Sequence, residues 1–137
     1  MKRTASAIWN GTIKEGKGAI STQSSVLNNT QYSFNSRFAD GIGTNPEELM
    51  AAAHAGCFTM KLTVDLEAAG FKAETLETSA AITLDNGVIT RSDLVTKAKV
   101  PGISNEKFQE VAAGAKANCP VSKAYNLEIT LQAELVG

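Results

Sequence analysis

The sequence predicts an α+β fold with element order βββ-α-ββ-α-β, and three observations carry that expectation. A single long helical stretch, Thr44 to Phe71, has capping residues at both ends. A period-two segment, Leu76 to Asp85, runs into Asp85-Asn86-Gly87, a hairpin turn signal, and Val88 to Val100 returns as the second strand. A last alternating run, Leu127 to Leu135, closes the chain. Strands gathered around two helices make α+β the class. The expected architecture is a mostly antiparallel sheet packed on the long helix, in one domain spanning residues 1–137.

The first third reads as strands joined by glycine turns. Ala5, Ala7 and Trp9 alternate with other residues up to Asn10-Gly11, and Gly16-Lys17-Gly18 turns again. Ala19 to Thr22 is a second strand. Tyr32 to Phe38 is a third, with Arg37 on the face opposite Tyr32, Phe34 and Phe38. Asp40-Gly41-Ile42-Gly43 is a loop into the helix. Its G-x-G lacks the third glycine of a dinucleotide fingerprint.

In the long helix Asn45 is the N-cap and Pro46 the first helical residue. Glu48 stands where a capping box reaches back to the cap amide. Gly70 suits a left-handed C-cap. Leu49, Met50, Ala53, Cys57, Met60 and Val64 recur at helical spacing as one apolar stripe. Cys57 therefore lies inside the protein or inside an interface. Ala51, Ala52, Ala53, Ala55 and Gly56 let a second backbone approach closely.

Leu76, Thr78, Ala80, Ile82 and Leu84 form the inward set of the next strand, and Val88 to Val100 returns. After Pro101-Gly102, Ser104 caps a second helix with Phe108, Val111, Ala112 and Ala115 on its core face. Cys119-Pro120 opens a short turn or helical segment up to Tyr125. In the final strand Leu127, Ile129, Leu131, Ala133 and Leu135 point inward.

The 137 residues are 43% hydrophobic and 20% charged, with a net charge of -1. That composition is globular and offers no basic surface for nucleic acid or an anionic membrane. Lys2 and Arg3 are followed by no apolar run, and Lys61 and Asp65 interrupt the long helix. Neither a secretory signal nor a membrane span is expected, and the cytoplasm is the default location. Two cysteines and one histidine are too few and wrongly spaced for a zinc site. Two buried thiols or a redox pair remain.

Cys57, as a nucleophile, needs a nearby cation, because a mid-helix position gives little dipole help. Cys119 precedes Pro120, so as the cap of a short helix it faces amide dipoles that favour a thiolate. One cysteine could attack and the other resolve the sulfenic acid. Glu47 stabilises the helix start or orients an arginine. Arg37, with apolar flanks, is either a solvated edge residue or that partner. His54, one turn before Cys57, is read as a packing or interface residue rather than a Cys-His pair.

Gly43-Thr44-Asn45-Pro46-Glu47-Glu48-Leu49, His54-Ala55-Gly56-Cys57-Phe58 and Asn118-Cys119-Pro120-Val121-Ser122 resemble the osmotically inducible protein C family, the OsmC/Ohr thiol peroxidases. The likeness extends to Trp9-Asn10-Gly11, to Phe34 through Phe38 and to Val100-Pro101-Gly102-Ile103, so it covers essentially the whole chain. It implies that Cys57 is the peroxidatic cysteine and Cys119 the resolving one, closing an intramolecular disulfide. It further implies that Arg37 stabilises the thiolate and the departing oxyanion, with Glu47 holding Arg37. The position of Arg37 just before the helix loop resembles the OsmC branch. An intertwined homodimer with active sites at the subunit interface is implied. So is an external dithiol reductant such as dihydrolipoamide or a lipoylated protein. No metal, haem or flavin is implied.

One geometric point bears on the dimer. Glu47 and Cys57 stand ten residues apart, about 15 Å along a straight helix. A glutamate serving the arginine of this cysteine is then expected from the partner's antiparallel helix. The expected activity is reduction of organic hydroperoxides, and of hydrogen peroxide less efficiently. Two other readings stay open: a non-peroxidatic thiol enzyme, and a non-catalytic dimeric binding protein on the same fold.

Overall fold

The computed structural model describes every residue from Met1 to Gly137, in two units, Met1–Leu49 and Met50–Gly137. The boundary falls inside the long helix.

In the first unit, β1 (Ala5–Asn10), β2 (Lys17–Thr22) and β3 (Thr30–Tyr32) form an antiparallel sheet in that order. Trp9 and Tyr32 pack edge to face with ring centroids 5.4 Å apart. Both flank Gly18, where a side chain would collide with the two rings.

The third strand is shorter than the alternation predicts. It ends at Tyr32, and Phe34–Phe38 is instead a short helix, α1. Ser33 starts it: its hydroxyl accepts from the Ser36 amide at 3.1 Å, and the Ser36 hydroxyl accepts from the Ser33 amide at 2.8 Å. This reciprocal cap uses Ser36 where Glu or Gln is usual. It outweighs the strand alternation, so Arg37 sits on a helix and not on a strand. The Ser36 hydroxyl also donates to the Thr44 carbonyl at 2.8 Å, tying α1 to the start of the long helix.

That helix, α2, runs Pro46–Ala68. The Asn45 side chain accepts from the Glu48 amide at 2.7 Å, as a cap should. The return half of the capping box is not made, because the Glu48 carboxylate accepts from the Thr44 hydroxyl at 2.7 Å. At the far end Gly70 has φ +92, with Gly70 N–H bonded to Glu67 C=O and Phe71 N–H to Leu66 C=O. This is the paired arrangement that satisfies a helix's last carbonyls.

In the second unit, β4 (Thr75–Asp85) and β5 (Val88–Lys99) are an antiparallel hairpin. Asn86 and Gly87 both have positive φ, as its two-residue turn requires. After α3 (Asn105–Asn118) and α4 (Pro120–Ala124), β6 (Glu128–Leu135) joins β5 in parallel. The helical crossover makes parallel pairing possible. The expected single sheet is thus two three-stranded sheets, and three of their four ladders are antiparallel.

The core of this unit combines Phe58, Leu62 and Leu66 of α2 with Leu94 and Ala98 of β5 and Phe108, Ala112 and Ala115 of α3. The buried face of α2 therefore runs His54, Phe58, Leu62, Leu66, one residue round from the stripe expected from the sequence. On that expected stripe Cys57 is half-buried, while Met60 and Val64 are 73% and 57% exposed. The helix is apolar on two faces, and the core takes only one. No helix is long and apolar enough to cross a membrane.

Candidate active site

Four residues were singled out for chemistry, and the fold assembles them as two pairs. Arg37 and Glu47 pair within the first unit, and Cys57 and Cys119 pair within the second.

Glu47 occupies the first turn of α2, where the aligned amides favour a carboxylate. Arg37 reaches it from α1. Its Nη2 and Nε donate to Glu47 Oε1 at 2.8 and 3.0 Å, and Nε also lies 3.3 Å from Oε2. Glu47 is buried, whereas the Arg37 side chain is about one-third exposed at 37%. The guanidinium also sits 5.2 Å from the Phe38 ring centroid, inside cation–π range. The carboxylate holds one edge of the guanidinium and leaves Nη1 free of this pair. An oxyanion could use that remaining donor edge. A cavity of about 290 Å³ beside Arg37 is walled mainly by Trp9, Ile13, Tyr32, Phe34 and Phe38.

Cys57, on α2, and Cys119, the N-cap of α4, are both free thiols, near enough that each shifts the other's pKa. Pro120 is the first residue of α4, as the sequence suggested. Burial raises the Cys57 pKa, and Cys119 raises it further. Burial also pushes the Cys119 thiol up. That effect is outweighed by Cys57, by the Ser122 amide and hydroxyl and by the Val121 amide, so Cys119 is net lowered. The mouth beside Cys57 is a largely apolar cavity of about 350 Å³, lined by Cys57, Met60, Lys61, Val64 and Pro120.

His54 does not form a Cys-His pair through its ring nitrogens. It is fully buried, with Nδ1 2.7 Å from Ser92 Oγ and Nε2 2.8 Å from Ser122 Oγ. Burial lowers its pKa and keeps it neutral. Tyr125 packs edge-on against its ring at 5.3 Å and donates its hydroxyl to the Met50 carbonyl at 2.9 Å. Burial, then the charges on Cys119 and Cys57, raise the Tyr125 pKa.

Ser92 and Ser122 were not foreseen. Ser122 stands three residues after Cys119, the cap-to-N3 spacing, and that was the available signal. Ser92 offered only its place on the inward face of β5 among Leu94, Thr96 and Ala98. No group of three or more His, Cys, Asp or Glu side chains is placed to hold a metal ion.

Comparison with known proteins agrees with this architecture. The family model described as OsmC-like protein matches residues 39–134. The chain is 47% identical to Peroxiredoxin OsmC of Escherichia coli K12, over 94% of this chain and 93% of that one. It is 32% identical to organic hydroperoxide resistance protein OhrA of Bacillus subtilis, over 65% and 66% of the two chains. Among solved structures, OhrB of Bacillus subtilis superposes with a TM-score of 0.65 at 25% identity, covering 97% of this chain and 98% of that one. An OsmC-like protein from Mycoplasma pneumoniae superposes at 0.71 with 14% identity, covering 100% and 99%. That second match bears on the fold alone. This chain belongs to the OsmC-like protein family.

Proposed function

We propose that this OsmC-family peroxidase reduces organic hydroperoxides through Cys57 and Cys119, with Arg37 and Glu47 completing the site. The observation that carries the reading is that two free cysteines from distant parts of the chain come together, near enough that each shifts the other's pKa. In the first step the Cys57 thiolate attacks one peroxide oxygen. An S–O bond forms, the O–O bond breaks, and the leaving alkoxide takes a proton to become an alcohol. Cys119, as a thiolate, then attacks the Cys57 sulfur. The S–S bond forms and hydroxide leaves, taking a proton to become water. An external dithiol, such as dihydrolipoamide or a lipoylated protein, returns two electrons and two protons and is itself oxidised to a disulfide.

The charge on Cys57 is the demanding part, because burial and then Cys119 raise its pKa. The Arg37–Glu47 pair of a second protomer supplies the missing cation in this reading. Arg37 and Glu47 pair inside one chain, so the glutamate and the arginine travel together, and it is the pair that a partner presents. The exposed Met60 and Val64 beside the Cys57 mouth give the homodimer an apolar contact. The same apolar lining favours alkyl or aryl hydroperoxides over hydrogen peroxide. No resident metal or organic cofactor takes part. A cytoplasmic site of action fits a working form that is the dithiol.

The test is intact mass under non-reducing conditions after one equivalent of cumene hydroperoxide. Wild type, Cys57→Ser and Cys119→Ser are run together. The expected result is loss of two hydrogens in the wild type and one added oxygen in Cys119→Ser. An unchanged mass in both, with cumene hydroperoxide unconsumed, overturns the reading in favour of a different thiol enzyme or a binding protein.

A further inference from the structure

Short helices hold little stability of their own, and α4 has only five residues, with no side-chain hydrogen bond from its cap, Cys119. Its single buried residue, Ser122, is polar. The place of α4 is therefore set from outside, by hydrogen bonds. Ser122 Oγ is 2.8 Å from His54 Nε2, and the Tyr125 hydroxyl donates to the Met50 carbonyl at 2.9 Å. The Tyr125 ring also packs edge-on against the His54 ring. His54 is fully buried, and its other nitrogen, Nδ1, is 2.7 Å from Ser92 Oγ on β5, so the ring that receives α4 is itself pinned to the sheet. These contacts have a register. On α2, Met50, His54 and Cys57 follow one another by four and then three residues and share one face. In the other segment Tyr125, Ser122 and Cys119 stand three residues apart. Tyr125 meets Met50 and Ser122 meets His54, so the segment runs antiparallel to α2. The next rung in that register sets Cys119 opposite Cys57. Cys57 and Pro120, the residue after Cys119, line one cavity, as the register requires.

We propose that His54 and Tyr125 are positioning residues for disulfide closure: their hydrogen bonds to Ser122 and Met50 are two rungs that fix the register of α4 on α2 and so hold Cys119 opposite Cys57. A disulfide tolerates little error, since the two Cβ atoms must stand about 3.5–4.5 Å apart with the sulfurs correctly rotated. A slip of α4 by one residue turns its cap away by about 100°. With both rungs in place the reduced segment is already docked, and closure needs no search. Without them the reduced segment relaxes away from α2, and forming the S–S bond has to bring it back. The rungs therefore set the effective concentration of one thiol at the other. In the catalytic cycle this governs the step in which Cys119 attacks the Cys57 sulfenic sulfur, the S–S bond forms and hydroxide leaves. That use rests on the peroxidase reading, whereas the effect on the disulfide equilibrium needs no peroxide.

The experiment measures the reduction potential of the Cys57–Cys119 disulfide by equilibration in glutathione redox buffers, with no peroxide present. Wild type is compared with Tyr125→Phe, Ser122→Ala, His54→Gln and His54→Leu, each checked for folding by circular dichroism. Tyr125→Phe keeps the ring and removes only the hydroxyl. Tyr125→Phe and Ser122→Ala are each expected to lower the equilibrium constant for closure about fivefold, as loss of one hydrogen bond implies. For a two-electron couple that is a rise of about 20 mV. His54→Leu should shift it at least as far. His54→Gln should stay nearer wild type, because its amide reaches about as far as Nε2 and restores the bond to Ser122. A residue that only stabilised the unit would lower the melting temperature in both redox states and leave the potential in place. Potentials unmoved in folded Tyr125→Phe and Ser122→Ala therefore overturn the proposal, and so does a wild type that forms no Cys57–Cys119 disulfide. Equal shifts in His54→Gln and folded His54→Leu would reduce His54 to a space-filling residue and overturn its part. If His54→Leu does not fold, Tyr125→Phe and Ser122→Ala decide. After one equivalent of cumene hydroperoxide, dimedone-trapped sulfenic acid on Cys57 should be about fivefold higher in Ser122→Ala than in wild type. Absence of sulfenic acid in every protein, with the peroxide unconsumed, would sink the peroxidase reading while leaving the shifted potentials as support for the register.

Discussion

Arg37 and Glu47, from two helices joined by a short loop, are locked by three N–H···O contacts of 2.8 to 3.3 Å. The guanidinium is thereby held in one plane, with its unused edge available to an anion. Replacing Arg37 by Met should lower kcat/KM for cumene hydroperoxide about 10²- to 10³-fold, the usual cost of losing an oxyanion donor. Arg37→Lys should recover little, because an ammonium cannot keep two parallel bonds to Glu47 and still present a donor edge. Glu47→Gln keeps the cation but frees it, and the expected loss is about tenfold. Steady-state peroxide consumption with a dithiol reductant measures all three. Full activity in Arg37→Met would remove the arginine from the mechanism.

The exposed stripe of α2 yields a separate prediction. Met60 is 73% exposed in the protomer, so Met60→Glu should leave its fold and circular dichroism unchanged. Buried in an interface, the same carboxylate would be unpaired and costly. Light scattering should show a shift from dimer to monomer, and peroxide turnover should fall with it. A monomer that kept full turnover would mean that one chain holds a complete site.

Most of this fold was legible because its signals are local. Asn45-Pro46, Asn86-Gly87, Ser104 and Gly70 are caps and turns whose chemistry acts within a few residues. The alternation of β4 and β6 reports a face buried on one side. The misread segment, Tyr32 to Phe38, carries both an alternating apolar pattern and a serine cap, and the cap won. The stripe on α2 was misplaced by one residue because its two apolar faces are nearly equal in the sequence. His54 was legible as buried, but its partners were not. Ser92 lies on β5 and Ser122 on α4, and only tertiary structure joins them.

Acid should weaken the fold through His54. Its pKa is lowered by burial from the ordinary value of 6.5, so the unfolded chain binds this proton more readily than the native one. Stability therefore rises with pH, and is lost as pH falls below about 6.5 towards the lower native value. The slope from one such group is at most about 1.4 kcal/mol per pH unit. Asp93 acts in a different window. Its hydrogen bonds from Arg91 and Thr130 hold its pKa below the ordinary 3.8, so its contribution is lost only as pH falls from there. Urea unfolding at pH 7.5, 6.5 and 5.5 should show the first loss in the wild type and a flatter profile in His54→Gln. Equal slopes in the two proteins would assign the acid sensitivity to other groups.

Gly43 is a backbone position on which the Arg37–Glu47 pair depends. Its φ is +118, and a Cβ there would fall on the Gln31 carbonyl oxygen. That carbonyl accepts from the Thr44 amide at 2.9 Å, next to the bridge between Tyr32 and Thr44. Thr44 in turn receives the Ser36 hydroxyl and donates to Glu48, so it connects α1 to the first turn of α2. Gly43→Ala has both a forbidden dihedral and a backbone collision to relieve, and neither can be met by moving a flexible side chain. The expected cost is about 2 kcal/mol or more, through left-handed strain and loss of the Thr44 hydrogen bond. Activity should fall further than stability explains, since the two helix segments carrying Arg37 and Glu47 would shift apart. Parallel measurement of unfolding and of peroxide turnover well below the melting temperature separates the two effects. A variant that lost stability yet turned over normally would show that the pair tolerates a displaced loop.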